Sequence, residues 1–236
     1  MSAPPRCVQP EVLDDLPPDD PRARRARRDL RRVHRAMGSV TVLRRAITRL
    51  RLVTPPRRIL ELGAGDGTLL LRLAGALAPP WSGVELTLLD RHDLLDSPTR
   101  EAYRRLDWSV GVDCTDVLAW AASPPAARYD LCVANLFLHH FEAAALARLL
   151  AAAAARCDAL VACEPQRDAL ARLGSRLVGL IGANAVTRED AVKSVDAGFA
   201  GRELTAAWPP GDWRLDEYRA LPFTHCFTAV RAAHAH

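Results

Sequence analysis

Apolar positions recur along the chain with two different periods, and the change from one to the other falls near residue 52. Residues 1–21 show neither period. They are rich in proline and aspartate, which predicts an extended lead-in, because proline cannot donate a backbone hydrogen bond. From Pro21 onward Leu30, Val33 and Met37 recur at helical spacing, and Asp20 stands where a capping side chain would. Val40, Leu43, Ile47 and Leu50 form a second helical face, with Gly38 separating the two predicted helices.

Beyond Pro55 and Pro56 strand-like and helix-like runs alternate. Strands are predicted at 58–63, 85–90, 110–113, 129–135 and 159–164, and helices at 68–77, 99–106, 117–121 and 142–156. Strict alternation of this kind predicts an α/β fold, a parallel sheet with helices on both faces. The pattern then loosens into a helical stretch over 167–180. Thr187, with Asp190 three residues on, reads as the cap of a helix running to about residue 196. Two further strand-like runs, 203–208 and 225–230, close the chain.

Composition narrows the class. At 236 residues with 49% apolar and 25% charged side chains, the chain can bury the core of one generous domain. The net charge is only +4, and Lys193 is the single lysine. Eight arginines crowd residues 22–35, open to three readings: a solvated helix face, an arm that holds RNA or a membrane surface, or the outer side of a lid over a site. The longest nearly apolar run, 143–155, is broken by Arg148 and too short to cross a bilayer, and the N-terminus lacks a signal pattern, so a cytoplasmic protein without a membrane span is expected. Cys7, Cys114, Cys132, Cys157, Cys163 and Cys226 form no Cys-x-x-Cys pair and read as small buried hydrophobes, without disulfide or zinc. Of the histidines only His139 and His140 fall near a predicted site. Adjacent residues in a regular element rarely share an ion, so no metal is expected.

The strongest chemical signal is Ile59-Leu60-Glu61-Leu62-Gly63-Ala64-Gly65-Asp66-Gly67-Thr68, an apolar strand that enters a glycine turn and leaves as a helix. Glycine suits a turn that needs positive φ and a close approach to a ligand. The third glycine comes one residue too early for the dinucleotide fingerprint, and Glu61 places a carboxylate that a diphosphate would find repulsive. These residues resemble motif I of the class I S-adenosylmethionine-dependent methyltransferases, and the resemblance extends from about residue 57 to the C-terminus.

That resemblance implies a Rossmann-like, seven-stranded, mostly parallel sheet with an antiparallel last strand. Residues 53–236 would form the S-adenosylmethionine-binding domain, and residues 1–52 an N-terminal extension and helical lid. It assigns Glu61, Gly63, Ala64, Gly65 and Asp66 to the cofactor loop, and Asp90 to the ribose hydroxyls, with Asp93 as the fallback. Asp113 and the Cys114 backbone would meet the adenine, while Asp116 could cap the next helix. The run Asn135-Leu136-Phe137-Leu138-His139-His140-Phe141 is similar to motif IV of small-molecule methyltransferases, including the ubiquinone and menaquinone type, with Asn135 and Leu136 facing the sulfonium. Leu136 and Phe137 stand where adenine-N6 DNA methyltransferases carry prolines, so DNA base methylation loses its support.

His140, and after it His139, are candidates for a general base, since an imidazole titrates near neutral pH; a structural role is the alternative. Glu164 either orients the acceptor or caps the following helix. The expected activity is methyl transfer to a small molecule, most simply O-methylation of a phenolic or carboxylic metabolite of secondary metabolism. An RNA methyltransferase using the arginine-rich arm and a non-catalytic cofactor-binding module are the rivals. Residues 22–52 and 174–201, with Trp208, Trp213, Tyr218 and Phe223, would shape the acceptor pocket.

Overall fold

The computed structural model describes residues 3–234. A short helix α1 (Val12–Asp15) and two longer ones, α2 (Pro21–Ala36) and α3 (Ser39–Leu50), lead into the alternating part. That part runs β1 (Arg58–Leu62), α4 (Thr68–Leu77), β2 (Val84–Asp90), α5 (Ser97–Arg105), β3 (Trp108–Cys114), α6 (Val117–Ala122), β4 (Leu131–Asn135), α7 (Ala143–Arg156) and β5 (Ala159–Pro165). Then come α8 (Ala169–Arg176), α9 (Ala185–Ala197), α10 (Glu203–Ala207), β6 (Trp213–Ala220) and β7 (Thr224–Arg231). All seven strands join one sheet in the order β3-β2-β1-β4-β5-β7-β6. Strand β7 inserts antiparallel between β5 and β6, and the other six run one way. The chain winds outward from β1 to β3 and returns on the other side at β4, so a crevice opens beyond the carboxyl ends of β1 and β4.

Alternation along each strand feeds two cores. Ile59 of β1 and Ala159, Val161 and Cys163 of β5 face the layer holding α3 and α4, whereas Leu60, Leu62, Leu160 and Ala162 face the layer holding α7. Every residue of β5 is buried, as a central strand covered on both sides requires. Cys132, Cys157, Cys163 and Cys226 are buried and free, while Cys7 and Cys114 are exposed. Among the described residues no helix is long and apolar enough to cross a membrane.

Several local expectations need correction. Residues 203–208 do not form a strand: Glu203–Ala207 is a helical turn whose Leu204 and Thr205 amides donate to the Glu217 carboxylate at 3.0 and 2.7 Å. The strand beside β7 is instead β6, an edge strand whose Arg214, Asp216 and Arg219 dilute its apolar signal. The cap of α9 is Asn184, whose side-chain oxygen accepts from the Thr187 amide at 2.8 Å, rather than Thr187.

The two N-terminal helices also part company. Val42, Leu43, Ala46, Ile47 and Leu50 of α3 belong to the main core, so packing is continuous across residue 52. On α2 and just past its end the expected core positions Leu30, Val33 and Met37 are only half-buried and line the large cavity described below; Ala23, Ala26 and Asp29 are the buried residues. Arg27 and Arg31 also line that cavity while the other six arginines of the helix are exposed, and Arg22, Arg31 and Arg32 pair with Asp20, Asp66 and Asp29.

Candidate functional site

A cavity of about 680 Å³ opens at the carboxyl ends of β1, β2 and β4, beneath α2. Its floor is the glycine turn, where Gly63, Gly65 and Gly67 adopt φ of 66°, 56° and 70°. A side chain at any of these positions would be strained. The turn is stitched to β2: the Gly63 and Ala64 amides donate to the Leu89 carbonyl at 2.9 and 3.3 Å, and the Gly65 amide donates to Asp90 Oδ2 at 2.8 Å. A Cβ at Gly63 would collide with the Phe137 ring, whereas one at Gly65 would meet nothing within 4 Å and so would enter the open space.

Two lining residues carry buried polar atoms with no partner, Glu61 Oε2 and Asn135 Nδ2. Burial pushes the Glu61 carboxyl well above the ordinary carboxylate range, and the charges of Asp66 and Asp90 push it further. An orphaned acceptor in a negative field beside an orphaned donor is the complement of an amino-acid zwitterion. The residues therefore fit the amino-acid end of S-adenosylmethionine, whose ammonium Glu61 and whose carboxylate Asn135 would be able to take.

The remaining expected residues divide. Gly63, Ala64, Gly65, Asp66, Asp90 and Leu136 all line the cavity with Glu61 and Asn135. Asp90 also accepts from the His92 amide at 3.1 Å, and Asp66 accepts from the Thr68 hydroxyl at 2.6 Å while pairing with Arg31 at 2.5 Å. Asp93 accepts from the Leu95 amide at 3.2 Å and lies off the cavity wall. Asp113 and Cys114 do not reach the cavity either. Asp113 is held by the Thr115 hydroxyl at 2.5 Å, and the wall there is Thr115, Asp116 and Val117, with Asp116 capping α6. Of the four aromatics expected around an acceptor, only Phe223 lines the cavity; Trp208 is packed in the core against Trp213, and Tyr218 lies under Arg49.

Strand β4 ends at Asn135, Leu136 follows at a left-handed φ of 51°, and a single 3-10 turn, Leu138–His140, comes next. Glu164 is wholly buried at the end of β5 and accepts from the Phe137, Leu138 and His139 amides at 3.1, 2.9 and 3.4 Å and from His139 Nδ1 at 2.7 Å. It thus caps the turn that carries the histidines. It is neither the cap of the following helix nor placed to touch an acceptor, because its lone pairs are engaged and it lies off the cavity wall.

His139 is enclosed between Glu164 and Glu11, whose Oε1 lies 3.3 Å from Nε2. Burial opposes its charge, but the hydrogen bonds and charges of Glu11 and Glu164 prevail and raise its pKa to about 9. An imidazole already protonated at neutral pH is no general base. His140 is more open at 21% exposure, with Nδ1 3.1 Å from Asp14 Oδ2 and Nε2 4.0 Å from Glu11 Oε2. On α2, burial lowers the pKa of His34 to about 4, so this cavity residue is neutral.

Glu11 and Asp14 are the residues that sequence reasoning missed. They come from the lead-in, where Asp190 of α9 accepts the Val12 and Leu13 amides at 2.8 and 3.0 Å and so docks α1 over the histidines. No local period marks such a contact.

Asp90 has two duties in this geometry, holding the Gly65 amide and presenting lone pairs to the cavity. Asp90→Ala is expected to weaken calorimetric binding of S-adenosylhomocysteine by roughly 10-fold or more, since a hydrogen bond to a charged group contributes about 1.5–3 kcal/mol. Unchanged affinity would remove Asp90 from the site.

No family model matches the chain, and no curated protein matches it in sequence. Solved structures do. A plantazolicin methyltransferase in complex with SAH aligns at a TM-score of 0.64 and 15% identity over 90% of this chain and 91% of its own. The magnesium protoporphyrin IX methyltransferase from Synechocystis PCC 6803, with bound SAH, aligns at 0.53 and 14% over 89% and 93%. Human N-acetylserotonin methyltransferase in complex with SAM aligns at 0.51 and 14% over 92% of this chain and 60% of its own. What the chain has in common with them, across 90% of its length in the first case, is the Rossmann-like methyltransferase fold.

Proposed function

We propose that this chain binds S-adenosylmethionine and transfers its methyl group to an oxygen of a small phenolic or carboxylic acceptor, as in secondary metabolism. The observation that carries the reading is the pair of unpartnered polar atoms, Glu61 Oε2 and Asn135 Nδ2, beside a positive-φ glycine turn at the switch point of the sheet. The cavity volume falls in the range of small-molecule sites. The plantazolicin methyltransferase, seen with SAH and a monoazolic desmethylPZN analog together, is a precedent for this fold holding two such ligands at once.

The cofactor, when bound, would supply an electrophilic methyl group to the acceptor oxygen and leave as S-adenosylhomocysteine, the acceptor proton passing to His140 or to water. The protein's share is placement. Glu61 and Asn135 fix the amino-acid end, Asp90 the ribose, and the glycine turn lets the backbone approach closely. The half-buried Leu30 and Val33 of α2, with Met37 just past its end, cover the cavity and exclude water. Positioning of this kind contributes roughly 7–11 kcal/mol of barrier reduction, against a factor of about 10²–10⁴ from a base. Of the three residues expected to act on the acceptor, His140 alone combines partial exposure with a place on the wall. In this reading residues 53–236 hold the cofactor and the part of 1–52 before α3 is the cover.

Gly65→Leu tests the reading. Its side chain would occupy cofactor space without striking protein atoms, so the variant is expected to fold, with strain of about 1–2 kcal/mol, and to give no heat with S-adenosylhomocysteine. Parent-like affinity would overturn the loop assignment. With the parent, transfer of labelled methyl to a panel of phenols and carboxylic acids is the positive result. Binding without product across the panel would favour the non-catalytic module, and salt-sensitive retention on RNA the RNA enzyme.

A further inference from the structure

The two adjacent histidines sit on one 3-10 turn instead of a regular element, and this brings their rings side by side, with centroids 4.3 Å apart and planes 35° from parallel. Each Nδ1 is engaged by a different carboxylate, His139 by Glu164 at 2.7 Å and His140 by Asp14 at 3.1 Å. Each Nε2 is thereby turned toward the same third carboxylate, that of Glu11, at 3.3 and 4.0 Å. Ligand atoms of Glu11, His139 and His140 all lie within 4.8 Å of one another. Glu11 is itself held in place by a hydrogen bond from the Ser194 hydroxyl and by the docking of α1 on Asp190.

We propose that Glu11, His139 and His140 form a binding site for a divalent transition metal of the zinc class, open toward the cavity, the metal displacing to solvent the proton that His139 Nε2 otherwise directs at Glu11. Two imidazole nitrogens and one carboxylate, with a further position free, make up the donor set of catalytic zinc sites. Histidines that bind a metal through one nitrogen characteristically give the other to a carboxylate, which fixes the ring; here both do. Magnesium and calcium, which prefer oxygen, are poorly matched to two imidazoles. Bonds of about 2.1 Å place tetrahedral ligands about 3.4 Å apart, so ligand atoms that lie within 4.8 Å of one another have to draw together by up to about 1.4 Å on a bound ion.

Glu11, His139 and His140 line the same cavity as Asn135 and Phe137, so a metal held by them would share the space proposed for the acceptor and the methyl donor. That role for the metal rests on the methyltransferase reading; the site itself does not. With metal bound, His140 acts on the acceptor as a ligand instead of a free base.

Chelator-stripped full-length protein, titrated with zinc sulfate in a calorimeter, is expected to bind one equivalent with micromolar or tighter affinity, and Co²⁺ to develop the visible bands of nitrogen-ligated, low-symmetry coordination. Glu11→Gln with His140→Ala should remove both signals. Asp14→Asn, which leaves all three ligands, should weaken zinc binding by roughly 10–100-fold through loss of the Nδ1 support. Circular dichroism and the thermal unfolding midpoint, measured on every variant, show whether the fold survives. Co²⁺ bands absent from the parent, or zinc binding unchanged in the double variant, would overturn the site without regard to catalysis. A parent that binds zinc but no S-adenosylhomocysteine would keep the metal site and sink the methyltransferase reading.

Discussion

Glu164→Ala is expected to lower the unfolding free energy by roughly 3–5 kcal/mol, the range for breaking a buried ion pair from one side. The size follows from what the carboxylate holds. Its removal strands the amides of Phe137, Leu138 and His139 and leaves the buried imidazolium with Glu11 alone. For a chain of 236 residues this corresponds to a fall in Tm on the order of 10 °C by scanning calorimetry. Glu164→Gln, which keeps an acceptor for the amides but not the charge, should recover part of the loss. A change under about 1 kcal/mol for the alanine variant would mean that the 3-10 turn is held by other contacts.

Glu61→Gln is expected to act in opposite directions on stability and binding. In the free protein the Glu61 carboxyl lies buried with Oε2 unpartnered, and burial first, then the charges of Asp66 and Asp90, raise its pKa. The folded chain therefore holds this proton more tightly than the unfolded chain does. The carboxyl's contribution to stability is complete below the unfolded pKa of about 4.5 and is lost as pH rises toward the folded value. An amide has no such slope, so the Tm advantage of the variant over the parent should grow with pH above that value. Cofactor binding should move the other way, weakening by roughly 10- to 150-fold as a charge-assisted contact of about 1.5–3 kcal/mol is lost. Binding to the parent should also release a proton, seen as a dependence of calorimetric heat on the buffer's ionisation enthalpy. Equal pH profiles for parent and variant would place Glu61 in a wetter setting than the one described.

The contrast between what the chain's spacing revealed and what it concealed follows the range of the interactions. Strand β1, its glycine turn and α4 are encoded within twenty consecutive residues, 58–77, because alternation, the need for positive φ and helical periodicity are local properties. The insertion of β7 came through family resemblance, and β6 was masked by its charged edge positions. Asp90 was legible as the last residue of a strand. Asp113 was misplaced because the wall turns inward two residues later, at Thr115, and a strand's end fixes direction less sharply than register. Glu11 and Asp14 could not be read at all, since they meet His139 and His140 across more than a hundred residues of chain. The half-buried Leu30, Val33 and Met37 show the converse: their helical spacing was plain, but spacing cannot tell a packed face from one that roofs a cavity.

The Arg31–Asp66 bridge fastens α2 to the glycine turn with both partners partly in water, at 44% and 25% exposure. A surface pair of this kind is worth at most about 1 kcal/mol, under twice the thermal energy, and ionic strength weakens it further. The roof therefore owes its hold to packing and not to this pair: Ala23 and Ala26 are buried and Asp29 accepts the Asn184 amide at 2.8 Å, so raising the salt concentration should leave the cavity covered.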